Sequence, residues 1–183
     1  MKITFLGGGN MANALIGGLV GKGFAAEDIA VIELSAEGRE RLVAAYGVRA
    51  YAAADAAALA CDVIVLAVKP QQMKSAVAPM LAQLDRQLVV SIAAGLRLED
   101  MSRWLGGHRQ LVRTMPNTPA LIGAGVTGLH ALPEVDAAGR ARAEQVLQAV
   151  GSTVWIDDEA QMDAVTAVSG SGPAYVFLFI EAL

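Results

Sequence analysis

The sequence predicts an α/β fold, a doubly wound parallel sheet that gives way to helix near the C-terminus. Three observations predict it. Short β-rich runs alternate with helical patterns from Ile3 to Ile156. One run, Val63 to Val68, is apolar without alternation, as in a central parallel strand covered on both faces. A glycine-rich turn, Gly7-Gly8-Gly9-Asn10-Met11-Ala12, stands between the first strand and the first helix.

The elements follow in order. Ile3 to Leu6 reads as a strand and Asn10 to Lys22 as a helix. Ile29 to Leu34 is a strand, and Glu37 to Tyr46 a helix closed by Gly47 as its C′ residue. Val48 to Ala50 reads as a short strand before the buried run at Val63. Gln71 to Leu84 has a helical pattern that Pro79 breaks or kinks. Leu88 to Ser91, Leu111 to Arg113, Val126 to Leu129 and Thr153 to Ile156 are strands. Leu98 to Leu105 and Pro133 to Val150 are helices. After Ile156 no strand signal remains. Asp157, Asp158 and Glu159 read as the acidic first turn of a helix. Gly170-Ser171-Gly172 predicts a break, with Pro173 in the first turn of a new helix. This divides the chain into residues 1–156, the sheet domain, and residues 157–183, the start of a helical one.

Composition narrows the function. The 183 residues are 55% hydrophobic and 17% charged, with a net charge of −4. No basic stripe offers a nucleic-acid surface. The single cysteine, Cys61, has no partner for an internal disulfide, which fits a reducing, cytoplasmic setting. No segment reads as a secretory signal or as long enough to span a membrane, so no membrane partner is expected. His108 and His130 stand alone, so no metal site is expected. Ser169 and Ser171 have no nearby histidine to activate them, and no carboxylate pair points to hydrolysis.

The glycine-rich turn is the chemistry the sequence does offer. Gly7 to Ala12 has the G-x-G-x-x-A form of a Rossmann dinucleotide fingerprint. Gly7 allows the tight turn, Gly9 lets backbone approach a pyrophosphate, and Ala12 keeps the helix close to the strand. The helix N-terminus supplies free N–H groups for the phosphates. A tight turn alone would also use these glycines, but the strand before and the helix after favour the fingerprint. An acid to hold a ribose 2′-OH is expected about 20 residues further on. Glu33 ends the second strand there, and Leu34 and Ser35 follow it without an immediate arginine. That favours NADH over NADPH, although either remains a candidate cofactor.

Three loops follow other strand ends. "AVKPQ" places Ala67, Val68, Lys69 and Pro70; "SIAAG" places Ala93, Ala94 and Gly95; "RTMPNTP" places Met115, Pro116 and Asn117. Small residues and a proline-stiffened turn there suit a flat ring. With a cofactor to carry the chemistry, the protein needs no nucleophile of its own.

Together "FLGGGNMA", "AVKPQ", "SIAAG", "RTMPNTP" and "SGSGPAYVF" resemble the pyrroline-5-carboxylate reductase family, along the whole chain and in the family's order. The resemblance implies hydride transfer from NAD(P)H to the C=N carbon of pyrroline-5-carboxylate, the last step of proline biosynthesis. It places Gly7, Gly8, Gly9, Asn10, Met11 and Ala12 on the pyrophosphate. Ala67 to Pro70 and Ala93 to Gly95 line the dinucleotide, with Glu33 at the ribose. Met115, Asn117, Ser169, Gly170 and Ser171 lie near the substrate, and no catalytic residue is assigned. The implied fold is a Rossmann domain followed by a helical dimerisation domain, so a homodimer or higher oligomer is expected.

Two features depart from the family. Its members often carry a polar pair such as Asn-Arg or Ser-Arg where this chain has Glu33-Leu34. The family also continues into a Gly-Thr-rich stretch that helps to bind substrate. The chain therefore reads as an N-terminal portion, expected to turn over little by itself. The competing functions are a dinucleotide-sensing module without turnover and a Rossmann carbonyl reductase.

Overall fold

The structure, a computed structural model, describes residues 1–183. Its strands are β1 (Ile3–Leu6), β2 (Ile29–Ile32), β3 (Arg49–Tyr51), β4 (Val63–Leu66), β5 (Leu88–Ser91), β6 (Leu111–Met115), β7 (Gly125–Ala131) and β8 (Gly151–Trp155). They form one sheet in the order β3-β2-β1-β4-β5-β6-β7-β8. The order reverses between β1 and β4, the crevice where sheets of this kind bind ligands. The first six strands are parallel to one another, and β8 is parallel to β7. The β6–β7 pair is antiparallel, Arg113 facing His130 and Met115 facing Gly128. That pair is the one departure from the expected parallel sheet. Parallel neighbours need a crossover of about a dozen residues or more, usually a helix. Between Met115 and Gly125 there is only the short 3-10 turn Thr118–Ile122.

The helices are α1 (Asn10–Gly21), α2 (Ala36–Tyr46), α3 (Met73–Val77), α4 (Leu98–Trp104) and α5 (Ala137–Leu147), then α6 (Gln161–Val165) and α7 (Gly172–Ala182). Successive strand residues feed two separate cores. Val63 and Val65 join Leu15 and Leu19 of α1, Leu42 of α2 and Val146 of α5. Ile64 and Leu66 join Met73 and Val77 of α3 and Met101 of α4. That two-sided burial is why the strand shows no alternation. Gly18 lets α1 sit against the chain after α5, since a Cβ there would strike the Ala149 carbonyl.

Capping explains most boundaries. Ser35 Oγ accepts from Gly38 N at the start of α2, and Gly47 closes that helix in the left-handed conformation, φ +70°. Asp136 accepts from Gly139 N, so the helix expected from Pro133 starts at Ala137. The Gln71–Leu84 pattern breaks into 3-10 turns on either side of α3, with Pro79 inside the second.

The C-terminal segment corrects the sequence reading most. The predicted break at Gly170-Ser171-Gly172 is absent, and residues Gln161–Ala182 form one continuous helix. Thr166–Ser171 are wound as a π-helix between α6 and α7. Pro173 has no N–H to donate and its ring crowds the preceding turn. A wider turn accommodates both without interrupting the helix. By length and composition alone this helix could cross a membrane, which the expected break concealed. The expected acidic first turn is also not one. α6 begins only at Gln161, and Glu159 instead reaches across to other elements.

Candidate functional site

The predicted site residues fall on the C-terminal edge of the sheet. Gly7 follows β1 at φ +101°, a conformation that disfavours any Cβ. A Cβ there would also lie 2.8 Å from the Ala67 carbonyl and 3.0 Å from Val68. The turn after β1 and the loop after β4 are thus in direct contact. Gly9 differs: a Cβ on it would meet nothing within 4 Å. Gly9 is the N-cap of α1, and no side chain caps that helix. Its first N–H groups have no intrahelical partner, so they are free for an anion.

Two side chains brace the turns here, Asn13 after β1 and Arg39 after β2. Asn13, one turn into α1, donates to the carbonyls of Gly8 and Gly9 at 2.9 and 3.0 Å. Arg39 on α2 donates to the carbonyls of Glu33 and Leu34 at 2.7 and 2.9 Å. Glu33 lies where the fingerprint expects it. Its two carboxylate oxygens accept from Gly8 N at 3.0 Å and Ser35 N at 2.9 Å. Beside it is a cavity of about 520 Å³ lined by Leu6, Gly7, Ile32, Leu34, Ala53 and Val68. An apolar cleft of that size, edged by one carboxylate, is within the range of small-molecule sites.

Further along the edge, Ala93 is buried while Gly95 opens to space. Lys69 is exposed and Pro70 begins a 3-10 turn. Lys69 precedes that turn without a side-chain capping bond, and Ser171 ends the π-helical stretch inside the long helix. The loop after β6 meets the π-helical segment. Asn117 Nδ2 donates to Ser169 Oγ at 3.0 Å, and its Oδ1 accepts from Val126 N at 3.0 Å. A Cβ on Gly170 would lie 2.5 Å from the Met115 methyl, so the π-helical segment packs directly on the end of that side chain.

Arg113 holds this junction from below. It lies on β6, 3% exposed, and pairs with Glu159 at 3.2 Å and Asp163 at 3.0 Å. Glu159 Oε1 also accepts from Leu98 N, at the start of α4, at 2.8 Å. One ion cluster therefore joins three chain segments: the strand leading to Asn117, the helix after Ala93–Gly95, and the helix leading to Ser169. A basic residue in an apolar run was the sequence signal for it.

The remaining reactive groups lie elsewhere. Cys61 precedes β4 at the opposite edge, and burial pushes its thiol up, away from nucleophilic use. His108 bonds to the Gln87 carbonyl and His130 to the Ile156 carbonyl. No group of three His, Cys, Asp or Glu side chains is placed to hold a metal ion.

Comparison with known proteins adds to this geometry. Residues 2–95 match the family model described as NADP oxidoreductase coenzyme F420-dependent. Residues 159–183 match the one described as pyrroline-5-carboxylate reductase dimerisation. The chain is similar to the pyrroline-5-carboxylate reductase of Pseudomonas aeruginosa, with 48% identity over all of this chain and 67% of that protein. It is similar to that of Haemophilus influenzae at 44% identity, over 99% of this chain and 67% of the relative. Among solved structures, a pyrroline-5-carboxylate reductase from Coxiella burnetii superposes with a TM-score of 0.93 at 40% identity, covering 100% of this chain and 68% of the other. Pyrroline carboxylate reductase from Plasmodium falciparum, with NADP bound, gives 0.87 at 30% identity, covering 100% and 67%.

Proposed function

The chain belongs to the pyrroline-5-carboxylate reductase family, and we propose that its sheet edge binds a reduced nicotinamide dinucleotide and presents it to 1-pyrroline-5-carboxylate for reduction to L-proline. The observation that carries this reading is the junction of the fingerprint edge with the Ser169–Ser171 segment through Met115 and Asn117. The bound nicotinamide supplies the hydride that the C=N carbon receives. Gly7 to Ala12 hold the pyrophosphate, with the α1 N-terminus facing it and Asn13 keeping the turn in shape. Ala67 to Pro70 and Ala93 to Gly95 form the floor under the dinucleotide. Met115, Asn117 and the Ser169–Ser171 segment border the substrate.

Saturable binding of reduced dinucleotide by this chain tests the first half of the proposal. Oxidation of that dinucleotide by the full-length protein, dependent on pyrroline-5-carboxylate and matched by proline formed, tests the second. Binding with no turnover would favour a sensor instead. Turnover of a carbonyl substrate alone would favour the carbonyl reductase.

We assign residues 1–156 to dinucleotide binding and 157–183 to the helical domain. The dimerisation match supports association through α7. From Tyr175 to Ile180 its side chains are 56–69% exposed and apolar on every face. A helix apolar all round is a buried one, and a patch of this kind marks an interface. The same burial accounts for its membrane-like composition without a bilayer, in keeping with a cytoplasmic enzyme.

The cofactor preference rests on Glu33. Its carboxylate is fixed at the ribose end by Gly8 and Ser35. A 2′-OH can donate to it, whereas a 2′-phosphate is repelled by on the order of 1 kcal/mol or more even when partly screened. NADH is expected to bind at least as tightly as NADPH in fluorescence titrations. Glu33→Gln is expected to move the ratio toward NADPH. A clear NADPH preference in the unaltered protein would mean that Glu33 turns away, or that Arg41, or Arg39 released from its carbonyls, reaches the phosphate.

A further inference from the structure

The contact between Asn117 and Ser169 has a direction. The backbone N–H of Val126 can only donate, and it lies 3.0 Å from one end of the Asn117 amide. That end is therefore the oxygen, and the end facing Ser169 Oγ is the NH2 group. Ser169 accepts there, so its single proton points elsewhere. The nearby Thr166 hydroxyl donates back to the Met162 carbonyl, as a helical threonine commonly does. The Ser169 hydroxyl makes no such bond and lies half-buried in the π-helical turn at the ligand edge.

We infer that the Ser169 hydroxyl is a fixed hydrogen-bond donor to an sp² oxygen of a ligand at the nicotinamide end of the site, with Asn117 the positioning residue that sets its direction. The inference rests on the proposed reduction of pyrroline-5-carboxylate. In that reaction two ligand groups offer such an oxygen: the carboxamide of the nicotinamide and the carboxylate of the substrate. The substrate's ring nitrogen does not take that proton. In its electrophilic, protonated form it is itself a donor, so it can meet only the remaining lone pair on Ser169 Oγ. The Ser169 proton is therefore matched by a ligand oxygen.

Asn117→Asp separates direction from shape. It keeps the size of the side chain and an oxygen for the Val126 N–H, but replaces the NH2 with a second carboxylate oxygen. The Ser169 proton then turns to the aspartate, and the site loses its donor. Ser169→Ala removes the same donor outright. Each single variant is expected to weaken ligand binding by about tenfold, the size of one hydrogen bond to a buried partner. The double variant is expected to be no weaker than the worse single one, because both changes delete one interaction. NADH affinity by titration and the KM for pyrroline-5-carboxylate in the full-length protein, with thermal unfolding to confirm folding, are the measurements. A rise in the dinucleotide Kd assigns the donor to the carboxamide. A rise in substrate KM at unchanged dinucleotide Kd assigns it to the carboxylate. Independent, multiplying losses in the double variant would overturn the inference, since they would mean that Asn117 acts through charge or packing. So would an Asn117→Asp variant that binds both ligands normally. Failure of the unaltered protein to bind any dinucleotide would instead remove the functional reading beneath it.

Discussion

Gly9→Val is expected to leave the protein folded and to remove nearly all of its dinucleotide affinity. The two halves of that result come from one observation: a Cβ at Gly9 meets no protein atom within 4 Å. The position also has ordinary extended backbone, φ −72° and ψ −176°, so a side chain adds no strain. The empty space is the path by which a pyrophosphate would reach the α1 N–H groups. Charge-assisted hydrogen bonds contribute roughly 1.5–3 kcal/mol each. Losing two of them lowers affinity by about a hundredfold or more. Calorimetric titration with NADH, alongside thermal unfolding, reads both halves. Unchanged affinity in a folded variant would detach the fingerprint from the function. At Gly7, by contrast, φ and the Ala67 carbonyl both oppose a side chain, so loss of binding there would not separate fold from site.

The largest loss of stability is expected from Glu159→Ala. Arg113 is 3% exposed, and its other partner, Asp163, has a side chain 73% exposed. Removing Glu159 leaves a buried guanidinium with one solvated partner and takes the acceptor from Leu98 N. Arg113 keeps its pair with Asp163, so the expected loss lies below the roughly 3–5 kcal/mol of a wholly uncompensated buried charge. Replacing both charges, as Arg113→Met with Glu159→Leu, is expected to recover most of that loss, since apolar groups of similar volume are often neutral in place of a buried pair. Urea unfolding of the three proteins measures this. A Glu159→Ala variant within about 0.5 kcal/mol of the parent would place the cluster with ordinary surface ion pairs.

What the sequence made legible follows from which forces are local. β1 and β5 lie where their apolar runs lie, and α2 ends at Gly47, because burial and backbone chirality act residue by residue. The direction of β7 was not legible. A strand's side-chain pattern is the same whichever way the strand runs, and only the short link from Met115 to Gly125 carried the information. The π-helical turn was hidden for a related reason: Gly170-Ser171-Gly172 and Pro173 are breakers by propensity, yet the helix runs through them by widening its turn. In the site, the fingerprint and Glu33 were legible because their spacing reflects one strand–helix–strand unit. The bonds that Asn13, Arg39 and Arg113 make were not, because their partners are carbonyls or carboxylates whose placement only the folded chain defines.

The reversal at β7 has a further effect on the stretch that carries Asn117. The chain leaves the sheet at Met115 and rejoins it at Gly125 on the same edge, beside the strand it left. Both ends of the span are tethered to hydrogen-bonded neighbours. Pro116 and Pro119 fix two more backbone torsions within it. The Asn117–Val126 bond closes it near its two feet. Such a span has already lost most of its chain entropy on folding, where the cost of closing a short loop is small. A ligand that meets it does not have to order it again, so more of each contact's energy is retained as affinity. A helical crossover to the opposite edge would have carried the chain away from the ligand. The antiparallel β6–β7 pair instead sets a preordered rim at the same edge of the sheet.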